Sequence, residues 1–307
     1  MIKPEPLKKG DKIGIVAPAR KVSREEMMPG IDRIRNRGYV PIESPNLYNA
    51  YNQYSGTDEQ RLEDLMQMLD DAEIKAIFCA RGGYGSMRLL DHIDLMGLME
   101  NPKWFIGFSD MTAIHNQLNH SAGIQSIHAP MLINMTDEQF SEESFLQLFS
   151  FLEGERIEYE FEPSESDKAL NYTGIGKGIL CGGNLSVLAA LIGTNHDIDT
   201  VGKILFIEDL DEYLYHIDRM MVQLKKAYKF HHLSGMIVGA MSDMKDNSIP
   251  FGKSAYEIIH EHVAEFDFPV CFNFPAGHIK NNMPLILGAE AILGVEEKVK
   301  LQFVEAE

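Results

Sequence analysis

The chain has 307 residues, 45% of them hydrophobic and 24% charged, with a formal net charge of −18 at pH 7. That length is enough for two cores, since single cores stop growing near ~250–300 residues. The acidic balance argues against a nucleic-acid partner and gives no support for adhesion to an anionic membrane, and no stretch approaches the ~18 apolar residues of a membrane span.

Met1 to Gly10 carries no apolar leader segment, and Cys79, Cys181 and Cys271 lie far apart with no CxxC pair. Neither a disulfide framework nor a zinc site of ordinary spacing follows from them, and the expectation is a reducing, cytoplasmic location.

Lys12–Ala17 reads as a buried first strand. Ser23 to Glu26 is a capping box opening a helix, Pro29 is expected to interrupt or restart that helix, and Gly38 to end it. Tyr39–Ile42 supplies a second strand. Thr57 to Gln60 is a second capping box, and Leu62, Leu65, Met66 and Leu69 follow at i, i+3, i+4, i+7, the spacing of an apolar helix face. Lys75–Cys79 is a third strand running into the loop Arg81–Gly85. Trp104–Phe108 is a fourth, Met111–Leu118 the helix behind it, and Ile124–Ile127 a fifth strand. Strands alternating with amphipathic helices in this way predict a parallel doubly wound sheet, flavodoxin-like or Rossmann-like.

Glu, Ser and Pro dominate from Glu153 to Lys168, where the inter-domain connection is expected, giving domains 1–160 and 161–307. The second half reads as helices near Leu185–Ile192, Ile217–Ala227 and Ala255–Ala264, with strands at Ile204–Ile207, Met236–Val238 and Val270–Phe274 and two more at its end. Its topology does not follow from the pattern.

In doubly wound sheets ligands collect at the carboxyl ends of strands, and two such ends stand out. At Gly107 to Asp110, Ser109 falls where a strand gives way to a helix, so the turn exposes its side chain beside the first helical N–H groups. This resembles a nucleophile elbow, but Met111 replaces the second Gly of G-x-S-x-G, and a helix-capping Ser needs no catalysis. The loop Arg81–Gly85 can approach a ligand closely or present N–H groups to an anion, and it is neither a dinucleotide fingerprint nor a P-loop. A serine nucleophile needs a base with an orienting carboxylate. His278 lies in a Gly-containing loop after a strand, and Glu208 ends the strand beginning at Lys203, with Asp209, Asp211 and Glu212 competing for the same role. Cys79 is a rival nucleophile read as a buried, inert thiol, and His231 with His232 reads as a solvated pair.

Gly10–Pro18, Arg81–Gly85, Gly107–Asp110, His128–Met131, Gly182–Ser186, Gly193–Thr194, Leu205–Asp209, Ile217–Arg219 and Gly277–Asn281 together resemble, in order and over nearly the whole chain, the LD-carboxypeptidase family of serine peptidases, which includes the microcin C self-immunity proteins. The resemblance implies an α/β fold with a flavodoxin-like doubly wound N-terminal domain and a smaller β-rich α+β C-terminal domain, a site in the cleft between them, and a homodimer. It implies a triad of Ser109, His278 and Glu208, the last two on the C-terminal domain. Backbone N–H groups of Asp110 and of the Gly82–Gly83 turn, Gly83 first, are the expected oxyanion donors. Arg81, Gly82, Tyr84 and His128 are the candidate substrate-binding residues, Arg81 as a clamp for a carboxylate. The implied substrate is a muropeptide tetrapeptide losing its terminal D-Ala, with no metal or other cofactor. An aminoacyl-nucleotide amide, and a muropeptide-binding protein without turnover, are the alternatives. Two positions depart from the family's usual Gly: Ala129 after His128, and Ile279 after His278.

Overall fold

The structure, a computed structural model, describes residues 1–136 and 138–304. In chain order it contains β1 (Lys12–Val16), α1 (Arg24–Asn36), β2 (Val40–Glu43), α2 (Asp58–Asp70), β3 (Ile74–Cys79), α3 (Met96–Glu100), β4 (Trp104–Gly107), α4 (Thr112–Gln117), β5 (Ser126–His128) and α5 (Glu142–Leu152). There follow β6 (Glu158–Phe161), α6 (Glu165–Lys168), β7 (Gly174–Asn184), α7 (Leu185–Leu191), β8 (Ile204–Leu210), α8 (Leu214–Lys226), β9 (Gly235–Ser242), α9 (Ala255–Val263), β10 (Val270–Cys271), β11 (Leu285–Leu287), β12 (Glu290–Val295) and β13 (Val299–Phe303). The fold is the expected mixed α/β one with two sheets.

The first unit comprises Met1–Arg156 and Lys280–Leu287. Its sheet runs β11-β5-β4-β3-β1-β2, all parallel except for β11, which pairs antiparallel with β5. Without β11 this is the flavodoxin order 2-1-3-4-5. Trp104 to Gly107 are all buried, as a parallel strand covered on both faces requires. The boundary expected at 160/161 takes no account of Lys280–Leu287. Three residues of β11 are too few to show a strand period, and their place is decided by pairing with β5.

Three local expectations are corrected. The α1 helix runs unbroken through Pro29. The missing N–H deprives only the Glu25 carbonyl, on an exposed residue that water can reach, while Gly30, Ile31 and Ile34 bury the opposite face. The buried face of α2 is turned from the expected one and contains Arg61, Asp64, Leu65, Met68 and Leu69, with Leu62 and Met66 only half-buried. The strand expected at Val270–Phe274 shrinks to Val270–Cys271, although the Phe274 N–H still reaches the Val238 carbonyl.

The second unit comprises Ile157–Ile279 and Gly288–Glu307. Its sheet runs β10-β9-β8-β7-β12-β13-β6, with β7 to β10 parallel and β12, β13 and β6 antiparallel. The central β7 escaped the sequence pattern because five of its eleven residues are Gly, a residue depleted in strands. Close backbone approach requires one of them at least: a Cβ on Gly178 would stand 2.5 Å from the Gly202 carbonyl oxygen.

Candidate active site

Ser109 begins the turn between β4 and α4 with φ at 62°. A non-Gly residue in the left-handed region costs roughly 1–2 kcal/mol, and such strain clusters at functional sites. The elbow closes without a Gly at 111 because Gly107 makes the room instead. A Cβ there would lie 2.8 Å from Met111 Cγ and 3.2 Å from Cys79 Cβ. The Gly82 backbone approaches the serine itself, since a Cβ on Gly82 would stand 3.1 Å from Ser109 Cβ and 3.2 Å from its Oγ. Asp110 follows, and Gly83 holds φ at 105°.

Two buried polar side chains pin this Gly-rich loop, and sequence reasoning missed both roles. The Asp110 carboxylate accepts from the Ser86 N–H at 2.8 Å, and Ser86 Oγ donates to the Asp110 carbonyl at 2.6 Å. Burial raises the Asp110 carboxyl above its ordinary pKa, against the hydrogen bonds from Ser86 and Gly85 and the charge of Arg61. Arg61, 1% exposed, donates to the carbonyls of Gly85 (3.0 Å) and Pro18 and pairs with Asp58. The signal that could have found it is the α2 period: Arg61 stands four residues before Leu65 and eight before Leu69, on the buried face.

In the second unit, His278 Nδ1 lies 2.6 Å from Glu208 Oε2. Glu208 is fully buried at the carboxyl end of β8, and the His278 side chain is 15% exposed. The loop is shaped for this pair: Gly277 has φ at 119°, and a Cβ on it would lie 2.9 Å from Glu208 Cβ. Ser242 Oγ anchors the loop by donating to the His278 carbonyl at 2.8 Å. Burial alone would lower the imidazole pKa. The charge of Glu208, its hydrogen bond and the charge of Asp209 outweigh that and raise it. With Nδ1–H donating to the carboxylate, Nε2 is the basic nitrogen.

The competing carboxylates have other partners. Asp209 accepts from Asn184 Nδ2 and the Ser186 N–H, both at 2.9 Å. Its pKa is raised to about 7, first by burial and then by Glu208. Ionising it therefore costs more in the fold than in the unfolded chain, so that contribution to stability falls as pH rises through about 7. Asp211 pairs with Lys245, and Glu212 with His216. Cys79 is fully buried, and burial pushes its thiol pKa well up, which removes it as a rival nucleophile. His231 and His232 are exposed, and among the described residues no group of three or more His, Cys, Asp or Glu could hold a metal ion.

Of the candidate substrate residues, Tyr84 is 47% exposed and faces Tyr54 ring to ring at 6.3 Å. Arg81 is half-buried, its Nη1 3.5 Å from Glu26 Oε1. His128 is corrected: at 0% exposure it has no surface to offer a substrate, and its ring packs edge-on against Phe108, the residue before Ser109. It sits on β5, an interior strand of the first sheet. Ala129 is buried as well, whereas Ile279 is 40% exposed.

The model of the LD-carboxypeptidase N-terminal domain matches residues 13–129, which include Ser109, and that of the C-terminal domain matches residues 177–293, which include Glu208 and His278. The chain belongs to the LD-carboxypeptidase family. It is a serine-type carboxypeptidase, a hydrolase. A probable murein peptide carboxypeptidase of Bacillus subtilis strain 168 is 32% identical over 96% of this chain and 92% of that protein. The microcin C7 self-immunity protein MccF of Escherichia coli is 26% identical over 95% and 93%. The crystal structure of a muramoyltetrapeptide carboxypeptidase from Oxalobacter formigenes matches with a TM-score of 0.86 and 25% identity, covering 96% of this chain and 99% of that one. Within this LD-carboxypeptidase, Ser109 belongs to the first unit and the Glu208–His278 pair to the second. Among the described residues no helix is long and apolar enough to cross a membrane.

Proposed function

We propose that the chain hydrolyses the amide bond to the terminal D-Ala of muropeptide tetrapeptides, acting in cell-wall recycling as a cytoplasmic homodimer, with Ser109, His278 and Glu208 as its triad. The observation that carries this reading is the buried Glu208–His278 hydrogen bond of 2.6 Å, which sets the imidazole up as a base. The left-handed backbone of Ser109 supports the nucleophile, since such strain clusters at functional sites.

In the reaction His278 Nε2 takes the proton of Ser109 as Oγ attacks the carbonyl carbon of the scissile amide. Glu208 holds the tautomer and stabilises the imidazolium. The N–H groups of Asp110 and Gly83 are assigned to the oxyanion, each worth about 3–4 kcal/mol in the transition state. His278 then protonates the departing amine of D-Ala, and water, activated by the same imidazole, resolves the acyl-enzyme. This chemistry calls for no metal or organic cofactor.

Gly82→Ala is expected to fold normally and to react with a serine-directed fluorophosphonate about 10- to 100-fold more slowly, because the loop must retreat from Ser109. An unchanged labelling rate would show that the loop does not bear on the nucleophile.

A second reading, an aminoacyl-nucleotide amide as substrate, is favoured by the likeness to MccF. Mass spectrometry separates the two. The protein is incubated with L-Ala-γ-D-Glu-meso-diaminopimelate-D-Ala and, separately, with aspartyl sulfamoyl adenosine. Release of D-Ala from the peptide is expected. Cleavage of the nucleotide conjugate alone would replace the first reading by the second.

A further inference from the structure

We propose that Arg20, not Arg81, binds the free carboxylate at the end of the peptide and so makes the enzyme an exopeptidase. The inference rests on the muropeptide reading above and names the residue that recognises the substrate's terminus.

Arg20 lies in the loop after β1, at the carboxyl edge of the first sheet, where ligands of such sheets collect. Its backbone is stapled to the glycine loop, with the Arg20 N–H donating to the Gly82 carbonyl at 3.4 Å and the chain bridging to Tyr54. Its side-chain stem lies across the bare Cα of Gly83. A Cβ there would run into Arg20 Cδ, would lie 2.7 Å from Cγ and would come within 3.3 Å of Nε. Gly82 meets Ser109 in the same manner, so two successive glycines separate the nucleophile from the guanidinium stem. Side chains on either glycine would force them apart.

The two arginines differ in what they already hold. Arg81 pairs with Glu26, whose other oxygen closes the capping box of α1 by accepting from the Ser23 N–H at 2.8 Å. Arg20 is exposed, and among the described residues no carboxylate lies within ion-pair distance of it. A charge already compensated by a neighbour gains less from a substrate carboxylate than an unpaired one.

The carbon of a terminal carboxylate lies about 3–4 Å beyond the scissile carbonyl carbon, and a guanidinium pair adds about 4 Å more. Recognition requires the Arg20 guanidinium to reach that range from its stem over Gly83, with only Gly82 and Gly83 between that stem and Ser109. A peptide continuing past the scissile bond would bring no charge to Arg20 and would leave it unpaired, which disfavours internal cleavage.

The test compares the tetrapeptide ending in D-Ala with the same peptide ending in D-Ala carboxamide. It uses wild type, Arg20→Met, Arg20→Lys and Arg81→Ala. Methionine keeps most of the stem over Gly83 and removes the charge, and equal melting temperatures show that the fold is kept. Wild type is expected to prefer the acid. Arg20→Met should lose about 10- to 100-fold in kcat/KM on the acid, mostly through KM, and change little on the carboxamide. Arg20→Lys should recover part of the preference, and Arg81→Ala should keep it. If wild type prefers the acid and Arg20→Met keeps that preference, or Arg81→Ala abolishes it, the proposal is overturned alone. A wild type that cleaves neither peptide overturns the muropeptide reading and this proposal together.

Discussion

Ser109→Ala is expected to lower D-Ala release by about four to six orders of magnitude, the scale of triad deletions in subtilisin. The fold should survive, because alanine at φ 62° carries the same backbone strain as serine and Ser109 is only 8% exposed. Ser109→Gly makes a sharper companion. Glycine relieves the left-handed strain, so that variant should be equally inactive yet more stable than Ser109→Ala by about 1 kcal/mol in denaturant unfolding. Together the two variants separate catalysis from folding. Full cleavage by Ser109→Ala would show that another group attacks, and a wild type that binds muropeptide without turnover would instead point to a binding protein.

Glu208→Gln is expected to lower kcat by about four orders of magnitude, since an amide that donates to Nδ1 favours the wrong imidazole tautomer. It should also move the acid limb of the rate profile. In wild type the burial that lowers His278 is outweighed by Glu208 and Asp209, so the base form develops above the ordinary value of about 6.5. Activity therefore falls as pH drops through that raised value. Removing the Glu208 charge takes away the largest raising influence and lets burial count for more, so the limb shifts to lower pH. Stability has the opposite slope. The charged His278–Glu208 pair stabilises the fold fully below the unfolded value, and that contribution is lost as pH rises through the folded one. An acid limb that stays in place in Glu208→Gln would mean that the carboxylate does not control the base.

What the sequence determined by itself is local. Capping boxes at Ser23 and Thr57 are closed by residues three positions on, so helix starts were legible. The buried strands Lys12–Val16, Ile74–Cys79 and Trp104–Gly107 are continuous or nearly continuous apolar runs, and their alternation with helices made the doubly wound sheet legible too. Glu208 stood out because a carboxylate must leave an apolar strand somewhere, and Ser109 because it follows one. Family motifs in order over the chain then joined them to His278.

Tertiary structure decided what depends on partners remote in sequence. Which of Glu208, Asp209, Asp211 and Glu212 meets His278 turns on side-chain direction at a strand end, where each carboxylate found a partner of its own. Arg61 and Asp64 fall on the buried face of α2 because distant loops offer carbonyls, a hydroxyl and an amide there, which hydropathy alone does not reveal. His128 carries a ligand-like side chain, yet the fold buries it, its ring edge-on against Phe108. The strand Gly174–Asn184 has glycine where backbones pass too closely for a side chain, so the residue type reports the neighbour rather than the strand. Periodicity and caps involve residues a few positions apart, whereas burial and pairing are set by whichever segments the fold brings alongside.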